Sequence, residues 1–275
     1  PNNNIYTYCN NKSPFSIIET PNHITGRDTI LGIGVNYVNG VYSYDPNLIV
    51  VDSSIMDTVR YEYEDALGCT AFTERIVRID SIPDISLTGL DTAYCVNNAP
   101  VQLNGTPNSS SGFARYLGAG VDQQGIFSPN LAGIGVKNIT YSFEDGNGCE
   151  NTVTDLTTIN ALPITQFNFP QNQYCTSSEG DTLNTSFPTG TYSFWGSIID
   201  SNYIINPLGA VGQQTVFYSL TDSLGCLDTN STTIFVHPLP TITISGLDSA
   251  YCFNGGIENI LISPTAGSIL TGSAP

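Results

Sequence analysis

The chain has 275 residues, of which 40% are apolar and only 11% charged, with a formal net charge of −17 and all seven basic residues at or before Lys137. That apolar content suffices for two or three cores, whereas so acidic a surface repels nucleic acid and anionic membranes, so neither is expected as a direct partner. No run approaches the about eighteen apolar residues of a membrane span, and one Met, two His and one Trp leave little material for catalysis.

The sequence opens at Pro1 with no signal peptide and reads as a piece cut from a longer chain, a few residues inside a repeat. Tyr8-Cys9 comes first, then a middle strand ending in Leu31-Gly32-Ile33-Gly34-Val35 and a short edge strand, Tyr42-Ser43-Tyr44-Asp45, stopped by Pro46. Next comes a phrase that occurs three times, at 61–69, 141–149 and 218–226. Each copy has a Tyr eight residues before a Cys, an apolar or aromatic residue six before it (Tyr63, Phe143, Leu220), an Asp four before it (Asp65, Asp145, Asp222) and a Gly directly before it (Gly68, Gly148, Gly225). This predicts a β-hairpin in which Asp bonds back to the turn backbone, Gly supplies the positive φ and Cys begins the returning strand. A long final strand follows, 73–79 in the first copy and 232–236 in the third.

The second copy reads most completely. An alternating strand at 85–90, a turn at 91–95 and a strand from Val101 precede Leu117-Gly118-Ala119-Gly120-Val121, the step Ile126-Phe127-Ser128-Pro129 and the hairpin. In the third copy Trp195-Gly196-Ser197-Ile198-Ile199 and Tyr203-Ile204-Ile205-Asn206-Pro207 hold the corresponding places. The Gly-x-Gly pairs precede no helix and are not nucleotide loops.

Seven cysteines alternate between a Tyr-Cys type (Cys9, Cys95, Cys175, Cys252) and a Gly-Cys type (Cys69, Cys149, Cys226), like types recurring after 86, 80 and 77 residues. Pro83, Pro163 and Pro240 each stand 12 residues before a Tyr-Cys. This is a tandem repeat of about eighty residues. The fold class is therefore all-β, tandem immunoglobulin-like sandwiches in a linear rod, with repeats at 1–82, 83–163 and 164–240 and an incomplete fourth at 241–275. First and last strands of such a sandwich run parallel; placing Tyr-Cys and Gly-Cys at one pole predicts Cys9–Cys69, Cys95–Cys149 and Cys175–Cys226, with Cys252 unpaired by truncation. Disulfides imply an extracellular setting.

Tyr-Cys, the Gly-rich middle, the Phe-x-Pro step, Ala132-Gly133-Ile134-Gly135, residues 139–145 and Gly148-Cys149 together resemble the PKD-like or Ig-like repeats of giant Bacteroidota surface proteins, whose best-known members are gliding-motility adhesins of the SprB type exported by type IX secretion. The resemblance covers nearly the whole chain, is strongest in the second repeat, and implies a repeat segment of a cell-surface adhesin filament attaching to a surface or polysaccharide. Its partners would include secretion or motility machinery. The alternative from another class is a carbohydrate-binding accessory array of a secreted glycoside hydrolase. The resemblance also gives meaning to the triplet Asp-Ser/Thr-small or aliphatic, found at Thr29, Thr58, Ser81, Thr92, Thr182, Ser223 and Ser249, since exported Bacteroidota proteins carry O-glycans there. Asp-Thr and Asp-Ser are equally good turn formers.

No catalytic residue is assigned: His23 and His237 have no repeated companion and stand beside no nucleophile phrase. No cofactor is expected. Zn²⁺ would need cysteines in close pairs, and the hairpin Asp residues are the only weak pointer to Ca²⁺, although they lack the spaced carboxylates of a calcium loop. Recurrent Tyr61, Tyr141 and Tyr218 read as core. Only the non-repeating aromatics, Trp195 with Tyr192 and Phe194, or Phe113 with Tyr116, stand as candidates for sugar stacking.

Overall fold

A computed structural model describes residues 5–18, 26–108 and 112–263. The chain is nearly all β, with 52% strand and 3% helix, and divides into two compact units, Pro1–Ala161 and Leu162–Pro275. Among the described residues no helix is long and apolar enough to cross a membrane.

The first part of the N-terminal unit holds β1 (Tyr6–Cys9), β2 (Phe15–Ser16), β3 (Gly26–Leu31), β4 (Val35–Val38), β5 (Val41–Tyr44), β6 (Ser54–Asp65) and β7 (Thr70–Asp80), with a 3-10 turn at Pro46–Leu48. One sheet has the order β1-β7-β6-β3 and the other β2-β5-β4. Tyr44, Ile49, Val77 and Ile79 are buried between them, with Tyr8, Phe15, Ile17, Val35, Ile55 and Val59 packed around. Alternation along the first half of β6 turns every second side chain to this core, whereas 70–76 of β7 are all exposed and only its end, from Val77, is covered.

Its second part comprises β8 (Ser86–Thr88), β9 (Ala93–Cys95), β10 (Val101–Gln102), β11 (Asn104–Thr106), β12 (Gly112–Leu117), β13 (Ile126–Phe127), a one-turn helix α1 (Pro129–Ala132), β14 (Gly135–Asp145) and β15 (Glu150–Asn160). The sheet β12-β14-β15-β9 is accompanied by the pairs β8-β11 and β10-β13, and Leu103, Phe127, Ile139, Tyr141, Phe143 and Ile159 fill the core. The turn of helix was not expected from periodicity; Pro129 stands at its start, where a missing N–H costs nothing.

In the second unit β16 (Gln173–Cys175), β17 (Ser186–Phe187), β18 (Gly190–Gly196), β19 (Gly212–Asp222) and β20 (Leu227–His237) form one sheet, ordered β16-β20-β19-β18-β17. Its core is aromatic, with Phe167 in ring contact with Phe169, Phe187, Tyr192, Phe194 and Tyr218. The step at 203–207, expected as a strand, makes only isolated bridges, Thr182 with Ile204 and Ile199 with Ile205. Beyond it β21 (Thr243–Ser245) pairs with β22 (Leu261–Ser263). Little covers this pair: Ile242, Ile244 and Ile260 are 78%, 55% and 42% exposed. Residues 264–275 of the expected fourth repeat lie outside the described residues.

The expected strand polarity holds, and the cysteine pairing derived from it does not. In each of the three large sheets the Tyr-Cys strand runs parallel to the last strand, with Cys9 beside Asp80, Cys95 beside Asn160 and Cys175 beside His237. Parallel strands place end beside end. The hairpin Cys stands at the start of the last strand, and eleven residues at about 3.3 Å each put it roughly 35 Å from the Tyr-Cys of its own sandwich. Cys9 is bonded instead to Cys149, Cα to Cα 5.5 Å, across a sequence separation of 140. Cys69 and Cys175 are exposed free thiols, so none of Cys9–Cys69, Cys95–Cys149 and Cys175–Cys226 forms. Cys95 and Cys226 are disulfide-bonded as well, and Cys252 is a free, exposed thiol.

Candidate functional site: a stapled joint and an exposed aromatic face

The three hairpins are built alike. Asp65, Asp145 and Asp222 each use Oδ1 to accept two backbone N–H groups, one two residues on (2.8, 2.9 and 2.9 Å) and one from the Cys four residues on (2.9, 2.9 and 2.8 Å). Gly68, Gly148 and Gly225 take φ of 84°, 83° and 82°, a left-handed conformation that costs a residue with Cβ. The sequence reading of this phrase as turn chemistry is correct, and the Asp carboxylates are occupied by it.

At the joint inside the N-terminal unit, the end of one sandwich meets the hairpin of the next. Asn10 N–H donates to Asp80 O (2.9 Å) and Lys12 N–H to Cys9 O (3.0 Å), turning the chain directly after Cys9. Asn10 Oδ1 accepts Ile82 N–H at 3.0 Å. From the other side, Asn151 Nδ2 donates to Pro83 O at 2.9 Å and Asn11 Nδ2 to Glu150 O at 3.3 Å. The linker around Pro83 is thus held by side chains of both hairpin and Tyr-Cys turn, and the disulfide locks the pair. Closing 140 residues stabilises the folded chain by about 5 kcal/mol in the chain-entropy account. Sequence reasoning found these residues and mispaired them; the signal available was the parallel register itself.

The outer faces of the large sheets differ at equivalent positions. Where β3 and β6 place Leu31 opposite Arg60 and β12 and β14 place Leu117 opposite Thr140, β18 and β19 place Trp195 opposite Phe217. Those two rings are stacked, with centroids 5.9 Å apart and planes 13° from parallel, and remain 43% and 40% exposed. Ser231 lies opposite Phe217 on the next strand. Alternation separates the expected cluster, because Tyr192 and Phe194 point inward and are 2% and 4% exposed. Phe217 was missed, although it precedes the inward Tyr218 and so must face outward. The other candidate also splits: Phe113 is exposed with the Arg115 guanidinium 5.1 Å from its ring, while the Tyr116 hydroxyl accepts Gly105 N–H at 2.8 Å and its ring lies 5.0 Å from Tyr141. On the first sandwich the outer face is ionic, Arg60 bonding Glu62 and Glu74 and lying 3.8 Å over Phe72.

Of the seven triplet hydroxyls, Thr29, Thr58, Thr92, Thr182, Ser223 and Ser249 are on exposed residues and Ser81 is half-buried. Thr29 and Thr58 sit on β3 and β6. Several neighbouring Asp residues serve the fold. Asp57, 2% exposed, accepts Ile33 N–H (3.0 Å), Gly34 N–H (3.1 Å) and Tyr44 O–H (2.9 Å), and Asp181 accepts Tyr174 O–H at 2.6 Å. Burial first, then the facing carboxylate, pushes the phenol pKa of Tyr44 and of Tyr174 well above its usual value.

His237 ends β20, with Nε2 2.9 Å from Gln173 Oε1; His23 lies outside the described residues. Among the described residues no group of three or more His, Cys, Asp or Glu could hold a metal ion.

No family model and no curated protein matches the chain. Its structure is similar to Drosophila N-cadherin EC1-4 at 14% identity, covering 85% of this chain and 73% of that one with a TM-score of 0.26. It is similar to mouse protocadherin-24 EC1-3 at 12%, covering 86% and 98%, TM-score 0.26. A third similarity, at 12% and covering 89% and 68% with a TM-score of 0.22, is to Bacteroides ovatus SGBP-B of a mixed-linkage glucan utilization locus, in complex with a mixed-linkage heptasaccharide. Likenesses at these TM-scores decide nothing about the function of this chain, which rests on its own residues.

Proposed function

We propose that the chain is an attachment segment of an extracellular surface protein, built from sandwich modules at 1–82, 83–163 and 164–240 with further repeat sequence at 241–275, whose joints are covalently locked and whose β18–β19 sheet face binds polysaccharide. The carrying observation is the Cys9–Cys149 bond across a joint. Modules joined only by short Pro-marked linkers separate under tension at the linker; a disulfide between the end of one sandwich and the hairpin of the next removes that freedom. Disulfides also suit an oxidising, extracellular compartment. A non-catalytic reading is supported by Asp57 and the hairpin Asp residues, whose carboxylates serve backbone N–H groups. The adhesin filament, its gliding role, type IX export and Bacteroidota origin are proposed on the resemblance of the repeat phrase.

Polysaccharide is the ligand class that suits Trp195 and Phe217, apolar rings on a face that also bears the hydroxyls of Thr215 and Ser231 and the exposed ring of Phe235. Many weak contacts of this kind add up to firm attachment when modules are linked. Pull-down on insoluble polysaccharides, with a glycan array for soluble ones, is expected to show binding that Trp195→Ala weakens about three- to tenfold. Binding unchanged in Trp195→Ala and in Phe217→Ala, or no binding to any glycan, overturns the polysaccharide reading.

A further inference from the structure

We infer that Cys69 and Cys175 are the two open halves of the staple seen at Cys9–Cys149, and that each forms a disulfide with the complementary cysteine of an adjoining module of this repeat. The observed bond defines the rule: a Tyr-Cys at the end of one sandwich joins the Gly-Cys hairpin of the next. Cys175 is built as Cys9 is. Thr176 N–H donates to His237 O at 2.9 Å, as Asn10 does to Asp80 O at 2.9 Å; Ser178 N–H donates to Cys175 O at 2.9 Å, as Lys12 does to Cys9 O at 3.0 Å. The strand register is likewise the same, Cys175 beside His237 and Cys9 beside Asp80.

Cys69 is built as Cys149 is. Asp65 N–H donates to Cys69 O and Asp145 N–H to Cys149 O, both at 3.0 Å, and the Asp Oδ1 accepts the cysteine N–H at 2.9 Å in each. The difference lies in cover: Cys149, with its partner in place, is fully buried, whereas Cys69 and Cys175 are exposed. Cys252 follows the Tyr-Cys pattern in sequence but stands in no strand beside a last strand, so it has no anchored half of the joint. A bond between Cys69 and Cys175 of different copies would chain molecules head to tail. Each link joins two thiol sulfurs with loss of two protons and two electrons, which reduce one glutathione disulfide to two glutathione thiols. This inference is independent of the polysaccharide reading.

The test uses the full chain in a Cys252→Ser background, incubated in a glutathione redox buffer and run on non-reducing gels. The expected result is a ladder of concatemers, abolished by Cys69→Ser and by Cys175→Ser alone, with the two variants mixed giving a dimer that extends no further. In material from the native source, where the neighbour is a further module of the same polypeptide, the peptide bonded to Cys175 is expected to carry an Asp-x-x-Gly-Cys hairpin and the one bonded to Cys69 a Tyr-Cys. A ladder that survives either substitution, a Cys175–Cys175 bond, absence of any link in the redox buffer, or native partners of the wrong type overturns it. The polysaccharide pull-down is unaffected by either outcome.

Discussion

At the scale of single residues, Asp57 shows what the Gly-x-Gly phrase does in the first sandwich. Its buried carboxylate takes N–H groups from Ile33 and Gly34, an internal anion cradle, and Tyr44 O–H completes it. A Cβ on Gly34 would stand 2.8 Å from the Tyr44 ring, so glycine is needed there for space. Tyr44→Phe leaves the carboxylate one donor short and is expected to cost about 1–3 kcal/mol in urea unfolding. Burial raises the phenol pKa of Tyr44, Tyr141, Tyr174 and Tyr192. The folded state therefore holds their protons more tightly than the unfolded chain, and the stability this supplies is full below a pH of about 10 and is lost as pH rises above it. Absorbance titration of tyrosinate is expected to show these four rings ionising at higher pH than the exposed tyrosines; all fifteen ionising together near pH 10 in folded protein contradicts their burial. None of this was legible in the sequence, where Asp57 read as part of a modification triplet, because its partners stand 13, 23 and 24 residues away and two of them are backbone N–H groups.

Elements were more legible than residues because their signals are local. The hairpins follow from Asp, Gly and Cys within five positions, and the structure repeats the same two Asp-to-backbone hydrogen bonds three times. Strand alternation is local too, and applied strictly it separates Trp195 from Tyr192 and Phe194. What the local pattern did not carry is which pole of a sandwich a residue reaches. Alternation also turns Thr29 and Thr58 outward on β3 and β6 while Ile30 and Asp57 beside them are buried. O-glycans on these hydroxyls would therefore project from the sheet face without entering the core. Intact mass measurement of native material is expected to show hexose-containing additions on several of Thr29, Thr58, Thr92, Thr182 and Ser249; unmodified masses at all of them leave the triplets as turn and core residues only.

For the molecule as a whole, one polarity relation decides the account. The parallel pairing of β1 with the end of β7 puts Cys9 at the pole where the chain leaves its sandwich, and the β14–β15 hairpin brings Cys149 to it. The cysteines thus clamp the joint between sandwiches, and cores such as that around Tyr44 and Ile79 hold without a bridge of their own. Trypsin tests this directly, because the seven basic residues cut the chain into few pieces: Cys9 falls in residues 1–12, Cys69 in 61–75 and Cys149 in 138–275. A non-reducing tryptic map of the folded chain is expected to find residues 1–12 bonded to the 138–275 fragment, and 61–75 released with an alkylatable thiol. Recovery of residues 1–12 bonded to 61–75 would contradict the stapled joint and restore a bridge closed within one sandwich.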